Sequence, residues 1–126
     1  MSKHVAVWLD HKEARIFAVH VDKVDEELVA APHHLHHKHP RGPEGEKGHP
    51  EDTKRFFREV ATSLEGAEQV LIVGPSTAKL EFLRYIEKHD HALGPKVVGM
   101  ETVDHPTDGQ LAAYAKSYFK RVERMQ

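Results

Sequence analysis

No cysteine occurs in the chain. Disulfides, thiolate zinc sites, iron–sulfur clusters and thiol nucleophiles are thereby excluded. Long apolar runs are missing as well. Clusters such as residues 5–9 and 70–73 are far short of the roughly 20 residues that a membrane-crossing helix needs. An excess of charge of one sign is also lacking, since 18 Lys and Arg stand against 20 Asp and Glu, a formal −2. That balance argues against a nonspecific DNA binder, whose affinity comes from counterion release by a basic surface. It leaves room for a local patch that contacts RNA or a ribosome. Met1, Ser2 and Lys3 open into an alternating run without the apolar stretch and cleavage site of a secretory signal. The expectation is a soluble cytoplasmic protein with no membrane association.

What is present suits one domain of 126 residues and 14.3 kDa, with 39% apolar and 30% charged residues. Residues 4–9 (HVAVWL) and 14–21 (ARIFAVHV) read as two strands joined by a turn at 10–13. Residues 24–31 read as a third strand, and three consecutive acids, Asp25, Glu26 and Glu27, assign it to a sheet edge. Residues 32–50 differ in kind: His, Pro, Gly and charges surround a single large apolar residue, Leu35. Such a stretch cannot offset its ordering entropy by burial, and it is expected to be a flexible His-rich loop. Pro50 then opens a helix with a stripe of Phe56, Phe57, Val60, Ala61 and Leu64, ending near Gly66. Residues 69–73 read as a strand covered on both faces, followed by a helix carrying Leu80, Leu83 and Ile86. Residues 96–100 read as the next buried strand. Thr107 and Gln110 have the spacing of a capping box, opening a last helix lined by Leu111, Ala115, Tyr118 and Val122. The order β-β-β-α-β-α-β-α predicts an α/β fold, a central mixed sheet with an N-terminal β-hairpin and flanking helices.

Four groups of residues carry chemistry. The turn 74–79 (GPSTAK) places two hydroxyls and Lys79 at a helix start, where free amides favour anions. The same residues also serve as a plain strand-to-helix turn with Ser76 or Thr77 as cap, and neither a Walker A loop nor a dinucleotide fingerprint is present. His33, His34, His36, His37 and His39 fall within seven residues. Imidazoles suit Zn²⁺ or Ni²⁺, yet a flexible tract lacks the supporting shell of a designed site, so weak binding is expected. Glu101, Asp104 and His105 follow the last strand and can meet Ser76 and Lys79, the raw material of a small hydrolase using the 74–79 and 101–107 loops. No strained nucleophile elbow surrounds Ser76. Finally, Lys116, Lys120 and Arg124 are spaced by four with Arg121 adjacent, one basic helix face suited to phosphates or simply to solvent.

Residues 70–77 (VLIVGPST), with Glu81–Tyr85 beyond them, resemble the strand, glycine turn and helix of the carboxy-terminal domain of eukaryotic and archaeal class-1 release factors and Pelota. Ser76 stands where that pattern has a second glycine, and Ala78 separates Thr77 from Lys79. Residues 98–111 (VGMETVDHPTDGQL) look like the small bacterial translational machinery proteins related to that domain. The His-rich stretch before the first helix resembles theirs too. The resemblance implies a release-factor third-domain-like fold and a setting in translation. It implies no peptide release, because the Gly-Gly-Gln loop of the full-length factors belongs to another domain. The expectation is therefore a noncatalytic protein without a cofactor that contacts the ribosome or a translation factor. Lys79, Lys116, Lys120, Arg121 and Arg124 are the candidate RNA or partner contacts. A metal-buffering role through the five histidines, with weak Zn²⁺ or Ni²⁺ binding, is the alternative.

Overall fold

The structure, a computed structural model, describes residues 4–31 and 50–125, without the side chains of residues 50, 51 and 122–125. The expected hairpin forms from β1 (His4–Leu9) and β2 (Glu13–Val19), antiparallel, with Trp8 opposite Arg15 and Leu9 opposite Ala14. Asp10 closes its turn by accepting hydrogen bonds from the Lys12 and Glu13 amides at 2.8 and 2.9 Å, the local bonding that suits Asp to turns. The acidic β3 (Val24–Ala30) adds to β2 as an edge strand. Helix α1 (Pro50–Ser63) follows, then β4 (Gln69–Gly74), which pairs parallel to β1. Next come α2 (Ala78–His89), a short 3₁₀ turn (Gly94–Lys96), β5 (Val97–Thr102) parallel to β4, and α3 (Asp108–Met125). The result is the expected mixed sheet, five strands in the order β3-β2-β1-β4-β5. Among the described residues no helix is long and apolar enough to cross a membrane.

The two central strands are apolar on both faces because both faces are covered. Val5, Val7, Leu9, Val70 and Ile72 pack beneath α1 and α2, against Phe56, Phe57, Val60, Leu64, Phe82 and Ile86. Ala6, Trp8, Phe17, Leu71 and Val73 face the other way, onto Leu111, Ala115 and Phe119 of α3. Gly66, at φ 90°, takes the left-handed conformation after α1 that glycine adopts without strain. Gly74 is required for a different reason. A β-carbon there would run into the Leu9 carbonyl of β1.

Three expectations need correction. The strand read at 96–100 as buried is the second sheet edge: among the described residues only β4 flanks it, and Val98 and Met100 are 40% and 37% exposed. On α2 the core stripe is Ala78, Phe82 and Ile86, while Leu80 is 37% exposed. Docking on β1 and β4 selects the i, i+4, i+8 row over its neighbour. On α3 Phe119 takes the buried place expected of Tyr118, which is half-buried, and the Val122 side chain lies outside the described residues.

Candidate functional site

The parallel strands β1, β4 and β5 end at the same edge of the sheet. There the β1–β2 turn, the 74–77 turn and the 103–107 loop meet, the edge where open α/β sheets place their ligands. The Val103 amide donates to the Gly74 carbonyl at 2.9 Å, joining two of the loops. From the sheet, the buried Trp8 donates its indole N–H to the Asp104 carbonyl at 2.7 Å. The guanidinium of Arg15, next to Trp8 across the hairpin, lies 4.8 Å from the indole centroid. It donates to the Pro106 carbonyl at 3.3 Å and to Asp108 Oδ1 at 3.0 Å, and its other side meets Glu13 at 2.9 Å. Asp108 also hydrogen-bonds Glu26 of β3. That bond, some desolvation and the Asp108 charge hold the Glu26 carboxyl above the ordinary glutamate range, with Arg15 pulling the other way.

The acid–histidine pair expected at 104–105 forms, with His105 Nδ1 3.1 Å from Asp104 Oδ1. The other ring nitrogen faces Asp10 Oδ2 at 3.7 Å. Both nitrogens thus address carboxylates, whereas a base that activates a serine must turn one of them to the hydroxyl. Ser76 Oγ instead accepts a long bond of 3.5 Å from the Ala78 amide. Residues 74–79 are likewise turned inward. Lys79 Nζ donates to the Ser76 carbonyl at 2.7 Å, and the Thr77 hydroxyl donates to Glu81 at 3.1 Å instead of capping the helix. His11 Nε2 lies 3.2 Å from the other Glu81 oxygen, tying the hairpin turn to α2. An acid in the first helical turn satisfies the positive end of the dipole and opposes a second anion. This rim is knit to itself and holds three loops in fixed relation.

The basic residues of α3 whose side chains are described, Lys116, Lys120 and Arg121, point outward. Lys116 and Lys120 are exposed, and neither meets a carboxylate among the described residues. Arg121 lies 5.7 Å from the centroid of Tyr118. Tyr118 donates a 3.4 Å bond to the Val98 carbonyl, and burial, reinforced by the charge of Glu101 and opposed by Arg121, raises its pKa. Arg124 belongs to the same helix, but its side chain lies outside the described residues. Lys79 is separated from this group. It starts α2, on the opposite face of the sheet. His33, His34, His36, His37 and His39 all lie outside the described residues. Among those described, no three His, Asp or Glu side chains converge as a metal site. Sequence reasoning missed the Trp8–Arg15 clamp, although the hairpin turn at 10–13 sets the register that makes them neighbours.

No family model matches the chain, and no curated protein matches it. Solved structures do. The Thermoplasma acidophilum Pelota protein superposes with a TM-score of 0.60 at 23% identity, over 90% of this chain and 31% of that one. The archaeal translation termination factor aRF1 gives 0.59 at 16%, over 96% and 38%. Saccharomyces cerevisiae Dom34, a translation termination-like factor involved in RNA quality control that interacts with Hbs1, gives 0.55 at 13%, over 98% and 38%. The chain spans about a third of the length of these proteins. At such identities the likeness is one of fold, and the fold is the release-factor third-domain-like one expected from residues 70–111.

Proposed function

We propose that this chain is a noncatalytic docking module of the translation apparatus, contacting the ribosome or a translation factor in the cytoplasm. The observation that carries the reading is the fold shared with Pelota, aRF1 and Dom34 over at least 90% of the chain. The geometry at the carboxyl ends of the strands supports it. Hydrogen bonds there bind loop to loop, making a rigid surface in preference to a reaction centre. On this reading the exposed stripe of α3 makes the contact, with Lys116, Lys120, Arg121 and Arg124 against RNA phosphates and Lys79 a separate contact from the opposite face. Phosphate contacts of this kind position a protein without reading sequence.

Ribosome cosedimentation of the full chain tests this. The variant carrying Lys116→Ala, Lys120→Ala and Arg124→Ala is expected to sediment less with ribosomes and to show a flatter salt dependence than the parent. Unchanged sedimentation and an unchanged salt slope would remove α3 as the contact.

A further inference from the structure

A second basic surface lies on the other side of the sheet, where α1 and α2 pack side by side. Phe57 of α1 meets Phe82 and Tyr85 of α2 at ring-centroid distances of 5.4 and 5.8 Å. Ser63, on the opposite flank of α1, reaches Glu27 of β3 at 3.0 Å, which fixes which flank of α1 faces α2. A helix turns about 100° per residue, so Lys54 and Arg58 fall on the flank toward α2, and Glu59 falls away from it. By the same geometry, Tyr85 directs the flank of α2 carrying Arg84 and Lys88 toward α1 and sends Glu87 to the far side. All four cations are exposed, and none meets a carboxylate among the described residues. The acid of α2 on this side, Glu81, already accepts from His11 and Thr77.

Rings run up through the middle of the seam. Buried Phe57 touches half-buried Tyr85, and Tyr85 meets the exposed His89 at 4.7 Å with the two ring planes tilted by 39°. The last ring has Tyr85 as its aromatic neighbour and is otherwise exposed.

We propose that this α1–α2 seam binds single-stranded RNA, with Lys54, Arg58, Arg84 and Lys88 on the phosphates and an unpaired base stacked on His89. Cations spaced by four on two adjacent helices give paired rows along a chain of phosphates. An exposed aromatic ring beside such rows, here His89 at the end of α2, is the other half of single-strand recognition. An acidic protein would use the cations and leave the ring idle, and a rigid duplex has no free base to place on it. The surface is independent of the α3 stripe, so the two proposals fail separately.

The test uses the full chain, with a fluorescently labelled oligouridine as probe and anisotropy read at several salt concentrations. The double variants Lys54→Gln/Arg58→Gln and Arg84→Gln/Lys88→Gln change only exposed side chains, and circular dichroism confirms that each folds. Each is expected to weaken binding at least tenfold at low salt and to lower the salt slope by roughly 0.7 per lost contact. His89→Ala is expected to weaken binding about fivefold or more without altering the slope. Lys23→Gln, an exposed lysine in the β2–β3 turn, should leave oligouridine binding within about twofold. Three results would overturn the proposal: no binding of oligouridine at low salt, binding by both seam variants as tight as by the parent, or a polyglutamate probe held by the same residues more tightly than RNA.

Discussion

Trp8 is the only tryptophan of the chain, and its one polar atom does not face solvent. Its indole N–H holds the loop after β5 by the Asp104 carbonyl, and Arg15 covers its ring while reaching the next carbonyl but one, at Pro106. Replacing Trp8 with Phe keeps an aromatic ring in the core but removes the donor, leaving a partly buried carbonyl without its partner. The expected cost is about 1–3 kcal/mol in urea denaturation. A loss below about 0.5 kcal/mol would mean that the 103–107 loop is not held from β1. This clamp was hard to find in the sequence because its bonds join residues 91 to 96 positions apart. What local pattern offered was only the pairing of Trp8 with Arg15 across a short turn.

At the scale of the element, the features that depend on near neighbours alone were legible. The Thr107 hydroxyl accepts from the Gln110 amide at 3.1 Å, and the Gln110 side chain accepts from the Thr107 amide at 2.9 Å. This is the reciprocal pair that the spacing announced. Thr107→Ala is expected to destabilise the protein by about 1 kcal/mol, seen as a lower thermal midpoint, with an unchanged far-UV spectrum before melting. An unaltered midpoint would show that α3 is held by its core face alone. The start of α2 followed no such rule. Thr77 sits at the N-cap position, but Glu81 within reach of its hydroxyl and of His11 redirects it. The row of α2 that enters the core was misread for a related reason. Leu80, Leu83 and Ile86 are as well spaced as Ala78, Phe82 and Ile86, and only the sheet beneath decides between them.

Whole-molecule order was partly legible. Acids at 25–27 marked one edge of the sheet, and the unbroken apolar run at 70–73 marked a strand covered on both faces. The opposite edge was not marked, because Val97–Thr102 is apolar enough to pass for a central strand until the neighbours on each side are known. Of the candidate site, the outward face of α3 was readable from its spacing, since exposure on a helix follows from what the other face buries. The α1–α2 seam was not. Lys54 with Arg58, and Arg84 with Lys88, each look like an ordinary solvated pair until the contact of Phe57 with Tyr85 places the two helices side by side.

The parallel pairing of β1 with β4 has one more consequence. A chain break between Ala31 and Pro50 would cut no described strand or helix, because the three-stranded meander before it and the remainder after it meet along that pairing, through the two core layers beside it and through the side-chain bonds of Trp8, His11, Arg15 and Glu27. Two peptides, 1–31 and 50–126, should therefore complement each other, regaining the helical and strand signal only when mixed and only above a threshold concentration. Covalent continuity through the intervening residues would then act as a tether that raises the effective concentration of one piece for the other.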